Sequence, residues 1–422
     1  MEESFLTQSG IPVYAYRNSA LHGFCLSLYV RGGSMYESAE GNGETHFVEH
    51  IVFRNINRRM QGGLYPLLDR CGLSFNAETY KEFVQFYIVG AAEHFADAVT
   101  VFARLFDTVD LPRSEIDPER LRIKSELRES NEATSLDYFS DSVVWKDTTL
   151  AYSILGRPKT LDKMGCAALQ DAAARLFSPN NMFFYVTGSV SDEALADFCA
   201  SVNTPLAITS PTRNNMAPRP ADFGQRKGEI HLKSSDETVV RFSFDFDATQ
   251  YSHAEMMLLY DILFYGECGK VYRELSDRTG LVYSFDPCLE YYRNIGALHL
   301  KYEVRPSNLL RSAELVVKIL QDLKQGLTDE LDYVRPLYLD NGGMLLDSVE
   351  DFNWNRAYEV HILGCPYPSH VHRAEAFARI TPERISEIAR EVFCTKNLTL
   401  ALKGNRRQGK TEELSAILQK LG

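Results

Sequence analysis

The sequence contains no apolar run close to the roughly 18 residues that a membrane-spanning helix needs. Its first residues, MEES, are acidic, so the basic start of a secretory signal is absent. The eight cysteines form no CxxC pair, and scattered cysteines in a chain of 422 residues are typical of reduced, mostly buried thiols. We therefore expect a cytoplasmic protein with no membrane partner.

The chain also lacks a basic block of the kind that binds nucleic acids. Its formal net charge is −12, and the densest arginine run, residues 54–59, holds only three arginines. Nucleic-acid-binding proteins normally show a basic patch or stripe, so we expect no nucleic-acid partner. The apolar fraction of 45% is that of an ordinary globular protein, and 422 residues exceed a single core, so two or more domains are expected.

One stretch divides the chain into halves of similar length. Residues 204–228 hold four prolines and few large apolar residues, which is typical of an exposed linker. We therefore predict an N-terminal domain at 1–203, a linker at 204–228 and a C-terminal domain at 229–422.

The two halves resemble each other, which indicates an internal duplication. The segment 176–188 has a counterpart at 392–404, where Phe, Asn and Gly recur with a constant offset of 216 residues. A second pair, 63–75 and 270–283, precedes a strand-like run in each half. The two domains are therefore expected to be homologous.

Each half mixes strand and helix patterns. Residues 24–30 and 239–246 alternate or run apolar, as strands do, whereas 91–106 and 307–323 carry helical spacing. Strands separated by long helices predict an α+β fold, in which each domain packs a sheet against helices.

The candidate metal ligands and general base lie in HFVEH, residues 46–50. On a helix, His46 and His50 lie one turn apart on the same face, so both imidazoles can reach one zinc ion. Glu49 lies beside them and is placed to act as a general base, as in other H-x-x-E-H peptidases. The alternative is that the two histidines are ordinary surface or core residues, and a third ligand would decide between these interpretations.

A third ligand is available further along the chain. Asp117 and Pro118 predict a helix start, since an acidic N-cap is followed by proline at the first position. The following helix would place Glu119 and Glu126 near one face. The alternative, a solvated charged helix, stays open on this local evidence.

Several segments around the motif occur in the order of one known family. They are the strand at 24–33, Glu37, GETHFVEHIVF at 43–53, NAET at 76–79, residues 119–126, and LGRP at 155–158. Together they resemble the pitrilysin-like (inverzincin) zinc metallopeptidases, which include insulin-degrading enzyme and mitochondrial processing peptidase. The resemblance covers nearly the whole chain, whose size is that of the short bacterial half-length members.

The resemblance implies roles for several residues. The third zinc ligand is implied to be Glu126, roughly 75 residues after the motif, with Glu119 supporting the site and Glu129 as the alternative ligand. Asn76 and Ala77 match the edge strand that holds the substrate backbone, where a peptide adds as a further strand. The alternative for Asn76 is a turn residue. One zinc ion per chain is expected.

The second half departs from the family's catalytic pattern. The segment near His253 lacks a second histidine, so the resemblance implies a catalytically silent domain. Tyr283 matches a family tyrosine, but Ser276 stands where the family arginine is expected, and Arg278 is the candidate replacement. Tyr283 is equally compatible with a buried aromatic residue.

The resemblance also implies an assembly and a function. The two domains would form half of a clamshell peptidase chamber, completed by a homologous half-size subunit that lacks the metal motif, or otherwise by a second copy. The predicted function is zinc-dependent endoproteolysis of peptides or small unfolded proteins, such as leader-peptide or precursor processing. The alternative is a non-catalytic scaffold or partner subunit, which the complete His46, Glu49, His50 and Glu126 set disfavours. A structural zinc site is disfavoured because no cysteine lies near the motif.

Overall fold

The computed structural model describes residues 2–131, 135–146, 148–202, 226–327, 329–405 and 410–422. They form two compact units, each built from separate stretches of the chain. The first unit takes the described residues of 1–131, 147–216 and 344–362, and the second takes those of 132–146, 217–343 and 363–422. The predicted linker lies largely outside the described residues, so the boundaries at 204 and 228 stay a prediction.

Eleven strands are found in the part of the chain that the structure describes. They are β1 Glu3–Leu6, β2 Pro12–Arg17, β3 Gly23–Arg31, β4 Ser74–Thr79, β5 Phe83–Ala91, β6 Met182–Gly188, β7 Glu229–Ser234, β8 Val239–Phe246, β9 Phe285–Tyr291, β10 Gly296–Glu303 and β11 Leu398–Gly404.

Seventeen α-helices occur in the same described ranges. They are α1 Glu44–Arg59, α2 Leu64–Cys71, α3 Phe95–Ala103, α4 Arg113–Glu129, α5 Leu136–Val144, α6 Pro158–Leu161, α7 Cys166–Leu176, α8 Asp192–Ser201, α9 His253–Phe264, α10 Lys270–Tyr272, α11 Leu309–Gln325, α12 Glu330–Val334, α13 Pro336–Leu339, α14 Val349–Arg356, α15 His370–Ala378, α16 Pro382–Val392 and α17 Thr411–Leu418. None of the described helices is both long and apolar enough to cross a membrane.

Each unit contains one mixed sheet, and the two sheets share a topology. The first has the order β1-β2-β6-β3-β5-β4 and the second the order β7-β11-β8-β10-β9. In both, one parallel pair (β2 with β6, β7 with β11) is followed by antiparallel pairs only. Apart from β1, the strand order is the same, as expected from an internal duplication.

The central strand β3 is buried along almost its whole length. Its sequence, GFCLSLYVR, is nearly continuous in apolar residues, which is typical of a strand covered on both faces. The helices α1 and α7 contribute to the core on one face, through residues such as Phe47 and Leu169. The opposite face is covered by α14, which comes from the C-terminal half of the chain.

Asn353 of α14 anchors this helix to the first sheet. Its Nδ2 donates to the backbone oxygen of Tyr185 at 2.9 Å, and its Oδ1 accepts from the Tyr29 hydroxyl at 3.1 Å. The second unit is built in a reciprocal way, since α5 from the N-terminal half packs on β7, β8 and β11, where Arg241 donates to Asp141 at 2.9 Å. No sequence pattern predicted this exchange of segments.

The predicted start of the fourth helix is wrong. The helix begins at Arg113, not at Asp117, and Pro118 lies inside it. Proline lacks an N–H group, so only one backbone hydrogen bond is lost near the helix start. The side chain of Asp117 is paired with Arg113 and Arg120 instead of capping the helix.

Candidate functional site

The start of α1 is fixed by a buried carboxylate. Glu37 accepts hydrogen bonds from the backbone N–H groups of Gly43 and Thr45, both at 2.8 Å, and from Asn42 Nδ2 at 2.9 Å. These contacts satisfy N–H groups that a helix start leaves without partners. Gly43 has φ 95°, and a Cβ there would lie 2.7 Å from the Cα of Gly156. The segments around Glu37 and Gly156 therefore hold the start of α1 in place.

The two histidines of α1 face a carboxylate of α4. Glu126 Oε2 lies 3.8 Å from His46 Nε2 and 3.4 Å from His50 Nε2. One donor atom from each of the three residues lies within 4.8 Å of the others. Glu129, the alternative ligand, is exposed on the same helix and is not part of this cluster. The structure thus brings together the three residues expected to bind zinc.

The donor set fits a zinc ion. Zinc bonds of 2.0 to 2.2 Å in a tetrahedral arrangement place neighbouring donor atoms about 3.4 Å apart, close to the separations found here. Burial, together with the neighbouring His50, lowers the pKa of His46 to about 3. Its imidazole is therefore neutral at pH 7, which is the form that binds metals.

His50 is oriented by Glu119. The Nδ1 of His50 and Glu119 Oε2 are 3.0 Å apart, which leaves Nε2 directed at Glu126. Burial opposes the charged imidazole, but the hydrogen bond to Glu119 and the nearby carboxylates outweigh it and raise the pKa of His50. Such a carboxylate behind a histidine ligand fixes the ring and its tautomer.

Glu119 is itself held by a cation. Its Oε1 accepts from Arg54 Nε, and Arg54 also donates to Glu115 at 2.9 Å. Burial would raise the pKa of Glu119, but the hydrogen bonds from His50 and Arg54 lower it to about 2. Glu119 is therefore ionised at neutral pH and can hold the His50 ring.

Glu49 is buried beside the histidines and is bound by a residue of β4. Thr79 Oγ1 donates to Glu49 Oε2 at 2.7 Å. Burial raises the pKa of Glu49, although the Thr79 hydrogen bond acts in the opposite direction. A carboxylate with a raised pKa is a stronger proton acceptor, which suits a general base.

A groove of about 710 Å³ adjoins these residues. Glu49, His50, Arg54, Glu119 and Arg122 form its polar wall, and Phe53, Tyr65 and Phe75 its aromatic wall. Asn76 and Ala77 of β4 also line it. β4 stands at the edge of its sheet and pairs only with β5 among the described strands. The interpretation of Asn76 as a turn residue is therefore wrong, because it lies inside β4.

The residues predicted in the second half lie in the second unit. Tyr283 is 96% exposed, so the interpretation as a buried aromatic residue is wrong. Arg278 is also exposed and its guanidinium pairs with Glu274 at 2.6 Å. Ser276 lies in the π-helical turn Arg273–Asp277. Among the described residues, every group of three or more His, Cys, Asp or Glu side chains spaced to hold a metal ion belongs to the first unit.

Several residues of this site were not singled out from the sequence. The contacts of Thr79 with Glu49 and of Arg54 with Glu119 span 30 and 65 residues, so no local pattern reveals them. A signal for Thr79 was present, since it is the last residue of the NAET segment that begins with Asn76 and Ala77.

Two family profiles match the chain. The profile described as "Insulinase (Peptidase family M16)" matches residues 15–157, and "Peptidase M16 inactive domain" matches residues 166–333. The first range contains the His46, His50 and Glu126 cluster.

Curated relatives are similar at low identity. The chain is 22% identical over 419 residues to "Uncharacterized zinc protease YmxG" of Bacillus subtilis (strain 168), covering 95% of this chain and 98% of the relative. It is 27% identical over 193 residues to human "Mitochondrial-processing peptidase subunit beta", covering 45% of this chain and 39% of that relative.

Solved structures share the fold. A protease from Helicobacter pylori superposes with a TM-score of 0.81 at 16% identity, covering 96% of this chain and 99% of that chain. The first half of the periplasmic protease PqqL from Escherichia coli gives a TM-score of 0.79 at 15% identity, covering 100% and 96%. These matches confirm the predicted α+β fold with two sheet-plus-helix domains.

Proposed function

The chain belongs to the insulinase-like peptidase family M16, and we propose that it is a zinc-dependent endopeptidase that cleaves peptides or small unfolded proteins. The observation that carries the proposal is the cluster of His46, His50 and Glu126, with Glu49 buried beside it. Processing of leader peptides or precursors falls within this activity.

Each residue of the site would have a separate role in the reaction. His46, His50 and Glu126 would hold the zinc ion, and Glu119 would orient His50. When bound, zinc supplies Lewis acidity, which polarises a peptide carbonyl and makes water a better nucleophile. Glu49 would accept the proton from the attacking water and pass it to the leaving amine.

Substrate would bind along β4. The free edge of this strand offers backbone N–H and C=O groups to an extended peptide, and Asn76 and Ala77 line the groove at this point. Main-chain pairing makes little demand on the peptide sequence. The groove would therefore accept many extended chains, provided that they are unfolded.

We further propose that the working enzyme is a dimer in which two half-size subunits enclose the site. The partner would be a homologue without the metal motif, with a homodimer as the alternative. Support comes from relatives whose names describe a subunit or a half of a larger protein. In this assembly Tyr283 and Arg278, or the partner's equivalents, would contact the substrate carbonyl. A cytoplasmic location also remains part of the proposal.

The alternative function is a non-catalytic partner subunit of such a dimer. Residues 166–333 match a profile described as an inactive domain, and this match is compatible with a non-catalytic subunit. It is equally compatible with an enzyme whose second half is catalytically silent. The complete donor set in the first unit favours the enzyme.

Metal removal and restoration test the proposal. A chelator should abolish hydrolysis of a fluorogenic peptide, and zinc should restore it. Glu126→Gln should lose both zinc and activity, whereas Glu129→Gln, a matched exposed change on the same helix, should keep both. Full activity in the chelated protein, or in Glu126→Gln, would exclude this function.

A further inference from the structure

A second group of metal-binding side chains lies in the first unit, outside the site described above. Cys71, His94 and Asp97 each offer one donor atom, and the three atoms lie within 4.8 Å of one another. Among the described residues, this cluster and the His46 cluster are the groups of three or more His, Cys, Asp or Glu residues with this spacing.

The cluster joins two separate elements. Cys71 is the last residue of α2, and the chain turns there at Gly72, which has φ 60°. His94 immediately precedes α3, and Asp97 lies in the first turn of that helix. The three side chains therefore meet where the end of α2 and the start of α3 approach each other.

The three donors are complementary in chemistry. His94 Nδ1 lies 3.1 Å from Asp97 Oδ2, close to the roughly 3.4 Å that separates neighbouring donor atoms around a tetrahedral zinc ion. Cys71 is 8% exposed, and its thiol has no hydrogen-bond partner among the described residues. Thiolate, imidazole and carboxylate together are a donor set that suits zinc and excludes magnesium and calcium, which take oxygen ligands.

We propose that Cys71, His94 and Asp97 form a second site, which binds a zinc-class divalent ion and ties the end of α2 to the start of α3. An ion at this site would also affect the groove beside the His46 cluster. Tyr65 of α2 and Asn76 of β4, which stand on either side of Cys71 in the chain, both line the groove. An ion at Cys71 therefore stabilises the turn from which two groove walls extend.

The competing interpretation is local. Asp97 lies three residues after His94, so their contact alone could serve the start of α3, with Cys71 as an ordinary buried thiol. The two interpretations differ in whether the sulfur binds the ion.

Binding of cobalt(II) distinguishes the two interpretations, because a cobalt ion bound to a thiolate has a characteristic absorption band. The His46 site contains no sulfur, so a near-ultraviolet thiolate-to-cobalt charge-transfer band can come only from a cysteine site. Metal-free protein titrated with Co²⁺ should show this band and bind two equivalents. Cys71→Ser should lose the band and one equivalent. Cys166→Ser, the same change at a partly buried cysteine of the first unit outside the cluster, should retain both.

Two further variants keep the test decisive if Cys71→Ser does not fold. His94→Gln removes a ring that is 29% exposed, and Asp97→Asn keeps a hydrogen-bonding group for His94 but weakens the ligand. Each should weaken Co²⁺ binding in the band-forming step at least tenfold, since loss of an outer-shell partner alone typically costs about 10- to 100-fold in metal affinity. The circular dichroism spectrum should be unchanged. Absence of the band in the wild type, or its persistence in Cys71→Ser, would overturn the proposal.

The result does not depend on peptidase activity. His46→Gln should lose the cobalt ion of the first site but keep the thiolate band. A protein with the band and no hydrolysis would contradict the proposed function alone, and a protein with hydrolysis and no band would contradict the second site alone.

Discussion

At the scale of single residues, Glu49, the proposed general base, is held by one hydroxyl group. Thr79 lies in β4, and its Oγ1 donates to Glu49 Oε2 at a distance of 2.7 Å. The same strand carries Asn76 and Ala77, which line the groove. The hydrogen bond fixes one oxygen of the carboxylate, which leaves the other for the attacking water. Thr79 is thus a positioning residue in the proposed reaction.

Replacing Thr79 by Val should lower turnover without weakening substrate binding. Valine keeps the shape and removes the donor, so kcat should fall about tenfold, equivalent to about 1.4 kcal/mol, while KM changes less than twofold. Steady-state kinetics with a fluorogenic peptide measures both constants. Thr79→Ser should recover most of kcat, and zinc content should match the wild type in both variants. A fall in zinc content, or a change confined to KM, would contradict the positioning role.

Asp261 in the second unit gives a prediction about pH. Burial raises its pKa to about 6, although the Tyr338 hydroxyl donates a hydrogen bond that acts to lower it. The folded state therefore binds this proton more tightly than the unfolded chain, where an Asp has a pKa near 3.9. The stability that Asp261 contributes is complete below about pH 4 and is lost as the pH rises through about 6.

Asp261→Asn should therefore stabilise the protein at neutral pH. Asparagine keeps an acceptor for Tyr338 and removes the buried charge, so the free energy of unfolding at pH 7.5 should rise by about 2 kcal/mol. The gain should vanish near pH 4. Urea unfolding of the metal-free chain at both pH values measures it, with the exposed Asp332→Asn as a control that should change little. An equal gain at both pH values would contradict the assignment.

The residues of the metal site differ in how well the sequence predicted them. His46, Glu49 and His50 could be predicted because three positions on one helix share a face. Helical spacing made Glu126 a candidate together with Glu119, but only the resemblance assigned it as the third ligand, since two helices far apart in sequence must pack to bring it near. Thr79, Arg54 and Glu37 act through contacts of the folded chain that no helical or strand period encodes.

At the scale of elements, α14 completes the first unit from a distant part of the chain. Asn353 is fully buried and bonds the backbone of β6 and the Tyr29 hydroxyl of β3. A buried amide with these partners holds the helix in one register on the sheet.

Asn353→Leu should destabilise the protein by about 2 to 3 kcal/mol, because the Tyr29 hydroxyl loses its buried acceptor. Thermal or urea unfolding measures the loss. Glu350→Gln, an exposed change in the first turn of the same helix, serves as the control and should stay within about 0.5 kcal/mol of the wild type. Equal stability of Asn353→Leu and the wild type would contradict the anchoring role of Asn353.

The elements themselves were predicted with mixed success for physical reasons. Strands such as β3 and β8 were recognisable because β3 is a nearly continuous apolar run and β8 alternates apolar with polar residues. The start of α4 was not, because Pro118 is a typical first-turn residue that here lies inside the helix. The exchange of α5 and α14 could not be predicted, because a helix's own sequence does not say which sheet it covers.

At the scale of the whole molecule, the proposed dimer makes a prediction about the isolated chain. Ser276 replaces the arginine that the family resemblance leads one to expect, and Arg278 is paired with Glu274. If a partner supplies the missing cation, the purified chain should hydrolyse peptides slowly, and a homologue without the metal motif should raise the rate. Removal of an oxyanion donor typically costs about 3 kcal/mol, so a rise of more than 100-fold is expected.

The test compares the rate of peptide hydrolysis by the chain alone with the rate in the presence of the homologous partner. The Arg278→Ala variant is measured in the same way. Full turnover by a homodimer that Arg278→Ala abolishes would exclude the heterodimer. The proposed dimer would enclose the site and so select substrates by size. Large folded proteins should therefore be cut far more slowly than peptides under native conditions.

The measurement that tests the central claim most directly combines zinc content with peptide hydrolysis in Glu49→Gln. Glu49 shares α1 with the histidines but is placed as the base and not as a ligand. The variant should keep the zinc content of the wild type and lose hydrolysis by several orders of magnitude. Hydrolysis at the wild-type rate, or loss of zinc from Glu49→Gln while Glu126→Gln keeps both zinc and activity, would contradict the account.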